Sequence, residues 1–333
     1  MNYIGSKFSL LDFLENTITD CIGKELNHLT FCDAFAGTGT VGAYFKNKTA
    51  KVIANDCEYY SFVINQNLLN NNFDISELDE LVSELNQLSE KKDKQQYKIY
   101  QHYALGSGSE RQYFSDKNAI KIDTIRTEIE NLRNEVGENK YFCLLAGLLE
   151  SADKVANTAS VYGAFLKKLK KSAEKPLVLK LTEFSPNKNQ NEVYHQDTNA
   201  LIKKISGDIL YLDPPYNHRE YGANYHILNS IAYYDDFTPK GKTGLRQYNK
   251  SLWCKKNTAA LAFEDLIKNA EFKYIFLSYN NEGIISPEEI KNISQKYGKY
   301  DIFTKQYRRF KADNVRNHKA NQTIEYLHFI EKN

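Results

Sequence analysis

Cysteine is scarce and scattered. The five residues, Cys21, Cys32, Cys57, Cys143 and Cys254, are odd in number and never spaced as CxxC. That pattern supports neither a disulfide framework nor a zinc site, and it suits a reducing compartment. Long apolar runs are also missing: no window approaches the roughly 18 unbroken apolar residues of a membrane span. The opening stretch, Met1-Asn2-Tyr3-Ile4-Gly5-Ser6-Lys7, lacks a basic segment followed by an apolar one. The expectation is a cytoplasmic protein, neither secreted nor membrane-bound. An excess of one charge is lacking too, since 44 Lys and Arg against 42 Asp and Glu leave +2. Net charge therefore says little about a nucleic-acid partner, and local patches must decide. Proline is rare, with six in 333 residues, yet two stand side by side at Pro214-Pro215.

What is present describes a folded chain. Hydrophobic content of 41% and charged content of 26% are ordinary for a globular protein, and the length suits two domains or one domain with a large insertion. Apolar positions at helical spacing (Phe8, Leu10, Leu11, Phe13, Leu14, Ile18) predict a helix over 8–20. Then come a short strand (29–33), a Gly-rich turn, a helix (41–47) and a strand (51–54) ending in Asn55-Asp56. This order of strand, Gly turn, helix, strand and acid opens a doubly wound α/β sheet. From about 76 to 171 the chain turns polar and helical, with a more apolar helix at 141–155. Strand-like segments return at 193–195, 209–212, 274–278 and 324–330. The reading is an α/β core of residues 1–71 and 191–333, interrupted by a mainly helical insertion at 72–190.

The apolar run Ile209-Leu210-Tyr211-Leu212 leads into Asp213-Pro214-Pro215-Tyr216. A strand ending in a carboxylate, two prolines and an aromatic ring makes a rigid corner with an acceptor and a stacking face. Proline fixes φ and donates no backbone hydrogen bond, so carbonyls around Pro214 are free to accept an exocyclic N–H beside Asp213 while Tyr216 covers the ring. The plain alternative is a Pro-Pro turn closing a strand. Upstream, Gly37-Thr38-Gly39-Thr40-Val41-Gly42 matches GxGxxG, with Asp56 near the position of a ribose-binding acid. A nicotinamide-dependent oxidoreductase is therefore a rival reading. Asp33 opposes it, because a carboxylate at the strand end before the first glycine repels a pyrophosphate on the helix N-terminus. It attracts instead a ligand bearing an ammonium and a sulfonium, such as S-adenosyl-L-methionine. Lys7 is then available for that ligand's carboxylate, and the glycines allow close backbone approach.

Taken together, Asn2 to Lys7, Asp33-Ala34-Phe35-Ala36-Gly37-Thr38-Gly39, Asn55-Asp56 and Asp213 to Tyr216 resemble, in order, the D12-class (Dam-like, alpha-class) DNA adenine-N6 methyltransferases. The resemblance covers the catalytic core and implies a Rossmann-like α/β methyltransferase fold with an inserted target-recognition region. It implies that Tyr3, Gly5, Lys7, Asp33, Phe35, Gly37, Gly39 and Asp56 surround S-adenosyl-L-methionine, and Asp197 looks like a further cofactor contact. Asp197 reads equally as a helix N-cap before Ala200-Leu201-Ile202. Asp213 and the Pro214 carbonyl are expected to accept the two N6 hydrogens, with Pro215 and Tyr216 completing the corner. No Pro-Cys nucleophile argues for cytosine C5 chemistry. Cytosine N4 or an RNA adenine remain alternative targets, as does a DNA-binding module that has lost catalysis.

A base in a duplex must be flipped out to reach such a corner. Residues 217–226, polar and aromatic, are candidates to line the pocket. From Lys240 to Lys256 the chain carries six cations and no acid, interleaved with Tyr248 and Trp253, a composition suited to phosphate contacts and groove insertion. Further basic clusters lie at 167–171 and 305–316. The expected DNA-binding residues are Lys168, Arg219, Tyr221, Lys242, Arg246, Lys250, Arg308 and Arg309, with double-stranded DNA as partner and base reading from 72–190 aided by 236–256. The chain's length and the 157–168 segment resemble members from restriction systems acting on short palindromes. The resulting expectation is a cognate restriction endonuclease, a CATG site and no metal.

Overall fold

The computed structural model describes residues 7–89, 96–308 and 322–333. They fall into two compact units.

One unit comprises Gly5–Asn65, Asn187–Glu220 and Lys250–Asn333. It begins with α1 (Leu11–Ile22), closed at Gly23 in the left-handed region, then β1 (Thr30–Asp33), α2 (Thr40–Phe45), β2 (Lys51–Asn55) and the start of α3 (Tyr59–Asn70). The polar stretch that follows, described with the second unit, contains α4 (Asp79–Gln87), α5 (Lys98–Tyr103), α6 (Asp116–Asn131), α7 (Arg133–Val155) and α8 (Lys171–Glu174). The first unit then resumes with β3 (Glu192–Tyr194), α9 (Thr198–Leu201) and β4 (Ser206–Leu212). The second unit takes back the chain for α10 (Tyr221–Asn224) and α11 (His226–Tyr233). After these the first unit finishes with α12 (Ala259–Asn269), β5 (Glu271–Asn280), α13 (Pro287–Ser294), β6 (Gly298–Arg308) and β7 (Gln322–Lys332).

The strands form one seven-stranded sheet in the order β3-β2-β1-β4-β5-β7-β6. β7 runs antiparallel to both of its neighbours, and the other pairings are parallel. Successive strand residues point to opposite faces, so the central strands must be apolar on both. Ile209, Tyr211, Tyr274 and Phe276 pack with Leu14 and Ile18 of α1 and with Val41 and Phe45 of α2. Their neighbours Leu210, Leu212, Ile275 and Leu277 pack on the other face with Phe263 and Leu266 of α12 and Ile290 of α13. This mixed α/β sheet is the methyltransferase fold expected from the sequence. The order reverses between β1 and β4, where ligands bind at the carboxyl ends of open α/β sheets.

The other unit comprises Gln66–Pro186 and Tyr221–Asn249. Residues 221–249 were expected with the core, and side-chain chemistry explains why they join the helices. Asp123 of α6 accepts from the Ile99 and Tyr100 amides at the start of α5, at 2.9 and 2.8 Å, and from the Tyr234 hydroxyl at 2.7 Å. Arg126, one turn on, donates to the Ile231 and Ala232 carbonyls at the end of α11, at 2.9 and 3.0 Å. A guanidinium at a helix C-terminus satisfies carbonyls that the helix itself leaves open. Within α7 the helix is interrupted at Gly137, where φ is 79°. No helix among the described residues is long and apolar enough to cross a membrane.

Candidate active site

The carboxyl ends of β1 and β4 lie side by side, with Asp33 in register with Tyr211 and the Ala34 amide donating to the Tyr211 carbonyl at 3.1 Å. Asp33 and Asp213 are thereby brought to the same edge of the sheet. Asp33 is buried. Its Oδ2 accepts from the Gly42 amide of α2 at 3.2 Å, while Oδ1 has no hydrogen-bond partner among the described residues. Burial first, and then the negative charge of Asp213, push its pKa up to about 8. A buried carboxylate oxygen without a donor costs free energy until a cation or an N–H meets it. The residue is therefore suited to a positively charged ligand.

The turn after Asp33 is built for close approach. Gly37 and Gly39 sit at φ 51° and 72°, a region that side chains with a Cβ disfavour. Asp56 receives the Gly37 amide on Oδ2 at 2.8 Å and the Glu58 amide on Oδ1 at 2.9 Å. Its carboxylate thus clamps the turn, with lone pairs left over for a further donor. Ser61 and Asn65 of α3 both donate to the Gly37 carbonyl. Asn55, buried at the end of β2, donates to the Ala34 and Gln196 carbonyls and accepts from the Gln196 amide. Asn55 and Ser61 were absent from the expected site. Asn55 was visible only as the neighbour of Asp56, and Ser61 lies in an unremarkable helix.

At the end of β4, Pro214 is buried and Asp213 half-buried. Lys7 is buried against it, its Nζ 3.1 Å from Asp213 Oδ1 and 2.6 Å from Glu325 Oε1. Burial alone would lower the Lys7 pKa, but the two facing carboxylates outweigh it and hold the ammonium well above its ordinary value. Burial raises the Asp213 carboxyl to about 6, with Lys7 opposing and Glu325 reinforcing the shift. The sequence reading gave Lys7 to a ligand carboxylate; in the structure its charge is already engaged by Asp213 and Glu325. Tyr216 packs against the core, and its carbonyl accepts from the Ile284 amide at 2.9 Å. Phe35 meets Trp253 edge to face at 5.2 Å.

The remaining expected contacts lie as follows. Asp197 is exposed and caps α9, accepting from the Ala200 amide at 3.0 Å, which is the N-cap alternative. Trp253, expected to approach DNA, is buried, with its indole N–H donating to Asn199. Arg246 is buried in a two-pronged ion pair with Asp235, at 3.0 and 2.9 Å, and its guanidinium lies over Tyr233 and Phe237. It is committed to the fold of its own unit. His226, in the segment expected to line a pocket, is buried with its ring against the Tyr162 carbonyl. Lys168, Arg219, Lys242 and Lys250 are exposed. Tyr221 stacks on Tyr225 at 6.1 Å. Tyr3, Gly5 and Arg309 lie outside the described residues, and Arg308 ends β6 with its side chain outside them as well.

The sequence pattern of the D12 class N6 adenine-specific DNA methyltransferases matches residues 3–293. Type II methyltransferase M.NlaIII of Neisseria lactamica is 58% identical over 336 residues, covering 100% of this chain and 99% of that protein. Type II methyltransferase M.CviAII of Paramecium bursaria Chlorella virus 1 is 36% identical, covering 99% of this chain and 98% of that one. Type II methyltransferase M.FokI of Planomicrobium okeanokoites is 38% identical over all of this chain, which spans 53% of it. With the Asp33 turn and the Asp213 corner together on one sheet edge, this chain belongs to the D12 class N6 adenine-specific DNA methyltransferases.

Proposed function

We propose that the protein is the modification enzyme of a type II restriction system, transferring a methyl group from S-adenosyl-L-methionine to N6 of an adenine flipped out of a short palindrome, with CATG the site to test first. The observation that carries this reading is the placement of Asp33 and Asp213 at the carboxyl ends of adjacent strands, with Asp33 in register with Tyr211, one carboxylate suited to a cation and the other beside a proline corner. S-adenosyl-L-methionine supplies, when bound, a methyl group activated by a sulfonium. Asp33 Oδ1 would take the ligand's ammonium, the turn at Gly37 and Gly39 would let the backbone approach, and Asp56 would accept a ribose hydroxyl with its remaining lone pairs. Phe35 adds an apolar wall.

Asp213 and the Pro214 carbonyl accept the two hydrogens of the adenine amino group. That arrangement would draw the nitrogen lone pair out of the ring and leave it available to the activated methyl group. Tyr216 stacks on the flipped base. Positioning and fixed acceptors then supply most of the rate gain. Asp213 need not abstract the proton early, because the amine becomes acidic once methylated. In the helical unit, the loop from Asn157 to Lys170 presents Lys167 and Lys168 to solvent, and the Asn157 side chain ties its two ends through bonds to the Leu166 carbonyl and the Lys170 amide. We assign DNA reading to 72–190, helped by 236–256.

The test incubates the protein with labelled S-adenosyl-L-methionine and duplexes that carry or lack CATG, followed by digestion to nucleosides. The expected result is label in N6-methyldeoxyadenosine from the CATG duplex alone, together with resistance of that duplex to an endonuclease cutting CATG. Label in a cytosine nucleoside, or equal label in both duplexes, would overturn the base or the site.

A further inference from the structure

We propose that Glu325 of β7 is a positioning residue for methyl transfer, a second anchor that keeps the Lys7 ammonium seated when Asp213 turns to the adenine amino group. This inference rests on the assignment of Asp213 as the N6 acceptor. Glu325 is buried, 318 residues from Lys7 in sequence and 2.6 Å from its Nζ. Ser278 of β5 donates to the same Glu325 oxygen at 2.5 Å. β5 and β7 are antiparallel neighbours, with Ser278 in register with Leu327, so two strands of the sheet fix the carboxylate. No substrate contact is needed for this role.

The chemistry calls for such an anchor. In the structure Asp213 Oδ1 is an acceptor for Lys7. To receive an N6 hydrogen, Asp213 must share or release that contact. A buried ammonium left with no carboxylate would resist the exchange, because an unpaired buried charge is far costlier than a paired one. With Glu325 holding it, Lys7 stays paired whichever way Asp213 turns. Lys7 also remains near enough to keep Asp213 ionised, as an acceptor must be. Among the described residues, the charged and titratable groups around Asp213 are Lys7, Glu325, Asp33, Tyr211 and Tyr216. Of these, Glu325 is the acid that shares Lys7 with it.

The experiment compares Glu325→Gln, Glu325→Asp and Asp213→Ala with the parent enzyme by cofactor affinity, thermal melting, single-turnover rate and the pH profile of kcat/KM. Glu325→Gln keeps the shape and a hydrogen bond to Ser278 but removes the charge. Its expected effect is a single-turnover rate about tenfold lower, because a neutral amide oxygen holds the Lys7 ammonium less tightly than a carboxylate does, with cofactor affinity unchanged. Its acid limb should also move to lower pH, since the neighbouring negative charge that raises Asp213 is gone. Glu325→Asp should recover part of the rate. Should Glu325→Gln melt early, Ser278→Ala, which loosens the same carboxylate, is expected to show the smaller change in the same direction. A parental rate and pH profile in a folded Glu325→Gln enzyme, alongside an inactive Asp213→Ala that still binds cofactor, would overturn the anchor and leave the site assignment standing. Activity in Asp213→Ala would overturn the assignment itself.

Discussion

Replacing Arg246 with methionine separates two roles that a basic residue in a DNA enzyme can have. The guanidinium makes two charge-assisted hydrogen bonds to Asp235, at 3.0 and 2.9 Å, and lies 4.7 and 5.0 Å from the Tyr233 and Phe237 ring centres. Bonds to charged groups contribute about 1.5–3 kcal/mol net. Asp235 is 47% exposed, which places this pair toward the lower end of that range. Each cation-ring contact adds about 0.5–1 kcal/mol, and methionine retains the apolar cover of both rings. The expected loss is about 2–3 kcal/mol, read as a lower urea midpoint followed by circular dichroism. DNA affinity measured across salt concentrations should keep its slope, whereas removal of a true phosphate contact lowers that slope by about 0.9. An unchanged midpoint with a reduced slope would refute the structural role and return Arg246 to the DNA.

Asp33→Asn tests the cationic-ligand reading through stability. The folded pKa of Asp33 is near 8 against about 4 in an unfolded chain, so the fold holds this proton more tightly and loses stability as pH rises between those values. Cofactor-free Asp33→Asn should therefore melt above the parent at pH 8 and level with it at pH 4, while losing cofactor affinity; equal melting at pH 8 would contradict a strained buried carboxylate. In the parent, cofactor binding at pH 7 should release a proton, measurable by calorimetry in buffers of different ionisation enthalpy. Asp213, raised to about 6, must be ionised to accept N6 hydrogens, so kcat/KM should fall below about pH 6. Lys7→Gln, which removes a charge that lowers the Asp213 pKa, should move that limb upward; an unmoved limb would dissociate it from Asp213. Asn157→Ala deletes bonds to the Gln112 and Leu166 carbonyls and from the Lys170 amide. Trypsin should then cut faster at Lys167 and Lys168, and an unchanged cleavage rate would show that the loop is held by other contacts.

What was legible in the sequence was local, and what was not was long-range or charge-coupled. β4 could be read because a strand buried on both faces is an unbroken apolar run, Ile209 to Leu212, and the rigid residues after it announce a corner. The turn from Asp33 to Gly39 could be read because positive φ leaves glycine as its trace. β6 left no such trace. As an edge strand it mixes polar and apolar residues without strict alternation, with Lys299, Asp301 and Lys305 exposed, and a stretch of that composition reads as a solvated basic segment. Arg246 looked like a phosphate ligand for the same reason: its partner Asp235 lies 11 residues away across a stretch that forms neither a helix nor a regular strand, so the sequence displayed the cation without the acid that neutralises it. Glu325 is the extreme case. Nothing in Ile324-Glu325-Tyr326 distinguishes that acid from a solvent-facing one on a strand. Only the antiparallel return of β7 beside β5 brings it to Ser278, and only the tertiary fold brings Lys7, 318 residues away in sequence, against both it and Asp213. The acceptor corner was thus readable from four consecutive residues. The electrostatic balance at Asp213 depends on three charges from three separate parts of the chain, Lys7, Asp213 and Glu325, and that balance, rather than the motif alone, is what the pH profiles above would read.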